Sequence, residues 1–121
     1  MTGAYGYNPA MTHAPGHTGE NVTFAYACSA YLHHLSSSQT RHPLSYRRAA
    51  QRLHSLLHHV PEWERLDMQV LHYGECLSTA LKVAPSFPYR QDYQLLLHDF
   101  FRYAARRGWV KQGAFPAVPL P

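Results

Sequence analysis

The chain has 121 residues, with 11 Lys and Arg against 7 Asp and Glu, for a formal charge of +4 at pH 7. That length makes one domain the default, and the charge suits an anionic partner without requiring one. No apolar run approaches the roughly 18 residues that span a bilayer, and no basic-then-apolar signal opens the chain. The reading is therefore a protein of the cytoplasm, nucleoid-associated if the source is bacterial.

Residues 1–20 are rich in Gly, Pro, Thr and His and lack an apolar period, which predicts a flexible arm. A first helix is expected from about Val22 to Leu35, since Phe24, Cys28, Tyr31 and Leu35 keep the spacing of one helix face. The run Ser36-Ser-Ser-Gln-Thr40 breaks it, because short hydroxyl side chains compete for backbone hydrogen bonds. A second helix starts near Pro43, carries the apolar stripe Tyr46, Ala50, Leu53, Leu57 and Val60, and ends at Pro61. Arg47, Arg48 and Arg52 flank that stripe.

A third helix is predicted from about Asp67, read as its N-cap, with Val70, Tyr73, Leu77 and Leu81 on one face. Gly74 falls inside it and suggests a close helix crossing. Pro85 and Pro88 separate it from a fourth helix, whose band is Tyr89, Tyr93, Leu96, Leu97, Phe100 and Ala104. Arg102, Arg106 and Arg107 crowd the end of that helix, where cations also suit the helix dipole, and Gly108 stops it. The expected architecture is all-α, a compact bundle of four main helices over residues 21–112, followed by a proline-rich exit at 113–121.

Little in the chain points to catalysis or a cofactor. It has no nucleophile elbow and no glycine-rich phosphate loop. Cys28 and Cys76 are expected as buried thiols. His54, His58 and His59, and separately His72 with Cys76, have the i,i+4 spacing of paired helical ligands. Zinc asks for about four converging ligands, so neither a metal nor another cofactor is expected.

The segments Tyr46-Arg-Arg-Ala-Ala-Gln-Arg-Leu53, Leu66-Asp-Met-Gln-Val-Leu-His-Tyr73 and Leu97-His-Asp-Phe-Phe-Arg-Tyr-Ala-Ala-Arg-Arg-Gly-Trp-Val110 follow one another after the Ser/Thr-rich turn. In this order they resemble the N-terminal core-binding, SAM-like domain of the tyrosine recombinase (phage integrase) family. The likeness covers roughly residues 22–121. Gly113-Ala114 stands where that family has Asn-Pro, and His42-Pro43 where it usually has a capping Thr. None of the family's catalytic motifs can be placed, so no catalytic residue is carried over and no enzyme activity is expected.

The resemblance implies a non-catalytic module that contacts duplex DNA in site-specific recombination and DNA integration. It also implies a separate catalytic domain or recombinase subunit as partner, and assembly as a homo-oligomer on DNA. By that analogy the phosphate contacts are Arg47, Arg48, Arg52, Arg90, Arg102, Arg106, Arg107 and Lys111, with Arg41 reaching from the turn. Gln51 and Gln94 are candidates to read a base edge. The alternative is a helical protein-interaction module with a solvated basic face, in which Phe101 and Tyr103 lie off the main stripe and meet a partner chain.

Overall fold

A computed structural model of the chain describes residues 22–38, 41–111 and 113–115. The predicted arm at 1–20 and the exit beyond residue 115 lie outside the described residues. Within them run four α-helices: α1 (Phe24–Ser37), α2 (Tyr46–His59), α3 (Tyr73–Val83) and α4 (Phe87–Arg106). Two short 3-10 turns, Pro61–Arg65 and Met68–Val70, link α2 to α3. The expected all-α bundle is what forms, and none of its helices is long and apolar enough to cross a membrane.

Local chemistry sets the helix ends. The Thr23 hydroxyl accepts from the Tyr26 amide at 3.1 Å, and Ser45 accepts from the Arg48 amide at 3.2 Å, so α1 and α2 each begin at a hydroxyl cap. Pro88 sits in the first turn of α4, where its missing N–H has no partner to lose. Gly108 ends α4 at φ 75°, a conformation glycine adopts without a Cβ penalty.

The central element is α4, which packs against each of the other three helices. Its Tyr93, Leu96, Leu97, Phe100 and Phe101 are fully buried. Phe24 stands edge-on to both Phe100 and Trp63, with ring centroids 5.4 and 5.7 Å apart, and Tyr31 meets Phe100 at 5.5 Å. Such edge-to-face pairs add specificity to a core driven by burial. Cys28 and Cys76 are both free and buried; burial pushes both thiols up, that of Cys76 to about 12.

Several expectations shift by a turn or more. Asp67 caps a single 3-10 turn through the Gln69 amide at 2.9 Å, and α3 proper starts only at Tyr73. The intervening stretch is held in extended pairing instead, with Phe24 N–H bonded to the Leu66 carbonyl and Met68 N–H to the Val22 carbonyl, each at 2.8 Å. Val70 is consequently 61% exposed, and Cys76 and Ala80 are the buried residues of α3. Gly74 has open space where a Cβ would sit, so it marks no close crossing. On α2 the fully buried alanine is Ala49 while Tyr46 is half exposed, because the helix turns its stripe one residue away from the one read in sequence. Phe101 is buried against Tyr73, Phe100 and Phe115, which removes it as a partner-facing ring.

Residues 113–115, assigned in sequence to the exit segment, fold back on the bundle. Ala114 is buried, its carbonyl accepts from the Tyr73 amide at 2.9 Å, and Phe115 stacks on Phe101.

Candidate nucleic-acid interface

Two aspartates on α4 organise the polar face. Asp92 and Asp99 are seven residues apart, two helical turns and about 10.5 Å along one side of the helix. Both are buried at the edge of the apolar band, and a buried carboxylate demands partners. Asp92 Oδ2 receives Arg48 Nε at 2.9 Å and Arg52 Nε at 2.7 Å, both from α2. The Arg52 guanidinium also lies 3.9 Å from the centre of the Tyr89 ring. Asp99 Oδ2 accepts from the Tyr31 hydroxyl at 2.7 Å and lies 2.9 Å from His42 Nδ1, while Oδ1 accepts from Arg102 at 2.8 Å. A carboxylate only accepts, so Nδ1 is the protonated nitrogen of His42.

The pairing order, His42 with Asp99 and then Arg48 and Arg52 with Asp92, means that α2 and α4 run antiparallel along this seam. Burial alone would raise the Asp99 carboxyl, but the hydrogen bonds from Tyr31, His42 and Arg102 outweigh it and hold the group below its ordinary value. The Tyr31 hydroxyl is pushed up, first by burial and then by its bond to the carboxylate.

Beyond Asp99 the stripe continues to Arg106, another seven residues along α4 and exposed. Arg107 lies 5.0 Å from the Trp109 ring centre and 5.9 Å from that of Tyr103. With Arg102 these cations wall a cleft of about 290 Å³ over Asp99. Arg48 and Arg52 meet Asp92 where α2 contacts α4, and Arg102, Arg106 and Arg107 line the cleft over Asp99 two turns further along α4. The two groups set five arginines against two carboxylates and leave three positive charges over, histidine taken as neutral.

The other candidates separate into groups. Arg41 and Arg47 are exposed, just before and at the start of α2, next to the residues that reach α4. Gln51 is exposed on α2, between Arg48 and Arg52. Arg90 points elsewhere: its Nη1 donates to the Leu81 carbonyl at 2.9 Å and closes the C-terminal end of α3. Gln94, two residues past Asp92, is exposed about half a circumference round α4 from the stripe. Lys111 is exposed beyond the end of α4.

His54, His58 and His59 are exposed on α2, and His59 Nδ1 lies 2.9 Å from the Ser55 carbonyl. Among the described residues no three His, Cys, Asp or Glu side chains converge as a metal would need.

Asp92, Asp99 and His42 are the organising residues that a search for cations passes over. Their signal in sequence was two acids at i,i+7 set among the apolar residues of the strongest helix, opposite a helix with arginines at i,i+4. Compared with protein-family models, curated proteins and solved structures, the chain matches none.

Proposed function

We propose that this chain is a non-catalytic DNA-binding module that grips duplex phosphates along the α2–α4 seam, in the manner of the recombinase core-binding domains it resembles. It would hold a recombination site for a separate catalytic domain or recombinase subunit. The observation that supports this is that arginines of α2 and α4 gather at two aspartates two turns apart on α4, with more positive charge than Asp92 and Asp99 neutralise. Arg106 and Arg107 are exposed at the end of α4 and take the phosphates, with the outer edges of Arg48 and Arg102 contributing and the exposed Arg41 and Arg47, before and at the start of α2, reaching strands at the flank. Arg90 is left out of the interface, since it is spent on α3, and Gln94 faces away.

Guanidinium contacts to phosphate release counterions, so affinity must fall steeply with salt. Binding of a labelled duplex with 5′-hydroxyl ends should weaken by about tenfold or more between 50 and 200 mM salt. Arg47→Ala with Arg106→Ala should reduce the slope of log affinity against log salt by about 2. Neither residue carries an ion pair among the described residues, so stability should stay within about 0.5 kcal/mol. Equal affinity and slope in parent and double variant would remove the seam from the interface.

A further inference from the structure

The cleft above Asp99 combines the arginines of α4 with further features that a phosphodiester grip does not use. Arg102, Arg106 and Arg107 converge on it, and Asp99 is the one acid among its lining residues. That carboxylate already takes three hydrogen bonds and has little charge to spare for the cleft. His42 lines the same space, with Nδ1 committed to Asp99 and Nε2 buried without a partner. With the proton on Nδ1, Nε2 offers a lone pair, so a group that donates to it, such as the P–OH of a partly protonated terminal phosphate, suits this position beside the arginines.

At about 290 Å³ the cleft stands at the small end of the range for small-molecule sites, roughly 300–1,000 Å³. Next to it lies a second recess of about 490 Å³, walled by Tyr26, Ser29 and His33. The two share His34, Tyr103 and Arg107 as a common wall. In that wall the His34 and Tyr103 rings lie 5.0 Å apart and tilted by 30°. A cationic cleft beside a recess of rings and hydroxyls matches a ligand with a phosphate at one end and a flat polar ring at the other.

We propose that the cleft and recess together bind a nucleoside 5′-monophosphate, either free or as the 5′-phosphorylated end of a DNA strand. A terminal phosphate carries about −1.5 to −2 at pH 7, against −1 for a diester, and so suits a site with several cations. It also enters a cleft end-on, whereas a diester has sugar on both sides. The base lies in the recess against Tyr26, within reach of the Ser29 hydroxyl. The site shares Arg102, Arg106 and Arg107 with the proposed duplex contact, and adds His42 and the recess, which that contact does not need.

The test compares a short single strand bearing a 5′-phosphate with the same strand ending in a 5′-hydroxyl, by fluorescence polarisation at 50 mM salt. The phosphorylated strand should bind at least tenfold tighter, and Arg106→Ala should erase the difference. Arg106 has no ion pair among the described residues, so this variant keeps the fold, which a thermal melt verifies. Arg47→Ala should preserve the difference. Adenosine monophosphate as competitor separates the sources: displacement supports a free nucleotide, and failure to displace supports the strand end. Equal binding of the two strands overturns the proposal. So does inorganic phosphate displacing the strand at concentrations as low as the nucleotide needs, because the recess would then contribute nothing. The duplex with 5′-hydroxyl ends reports separately on the seam, so either reading can fail without the other.

Discussion

Asp99 concentrates more chemistry than any other side chain in the bundle. It ties α1 through Tyr31, the α1–α2 connection through His42, and its own helix through Arg102. Its carboxyl is held below the ordinary range, so the unfolded chain binds that proton more readily than the folded one. The stabilisation is fully present above the unfolded pKa of about 3.9 and fades as pH falls through the lower folded value. Asp99→Asn should therefore lose stability at pH 7, where an amide nitrogen replaces an acceptor among three donors. The gap between parent and variant should shrink as pH falls from about 4 towards 2. Urea melts at pH 7, 4 and 3 measure this, and a gap independent of pH would show that the ionised carboxylate is not what matters at this position.

At the scale of elements, the α2–α4 seam is an antiparallel contact closed by Asp92. Arg52 is largely buried there, with 14% of its side chain exposed, while Arg48 is 55% exposed. Arg52→Ala should cost about 2–3 kcal/mol, because it leaves a buried carboxylate short of a partner. Arg47→Ala, at an exposed neighbour, should change stability by no more than about 0.5 kcal/mol. Chemical denaturation of the two variants checks the contrast. Removing Arg48 together with Arg52 would strip Asp92 of both partners, so that pair cannot serve as a clean probe of DNA contact.

The arginines of α2 and α4 were legible in the sequence, but their division of labour was not. Charge is visible residue by residue, whereas whether a guanidinium faces solvent or a buried acid depends on how two helices meet. The same limit explains α3. An N-cap residue and an apolar period are both present from Asp67, yet residues 66–68 pair with Val22–Phe24, distant in sequence, and after one 3-10 turn the backbone is extended again at Leu71 and His72 before α3 begins. On α4 the apolar band was long enough for local pattern to decide, and Tyr93, Leu96, Leu97, Phe100 and Ala104 are all buried as read. Phe101 escaped because its cover comes from Phe115, beyond the end of the helix.

Across the whole molecule, the connection between α2 and α3 anchors both ends of the described fold. Val22 bonds to Met68, and Ala114 bonds to Tyr73, only five residues further on. Five residues of chain reach at most about 18 Å, so the two anchored ends lie within about 24 Å of each other. A linker of about eight residues spans that gap. The chain order is thus separable from the packing: joining Phe115 to Val22 and opening the backbone between α1 and α2 should give a circular permutant with the parent's helical circular dichroism and a cooperative melt. A permutant that stayed unfolded would mean that continuity through the α1–α2 connection, and not the shared anchorage at 66–73, is what keeps α1 seated on α4.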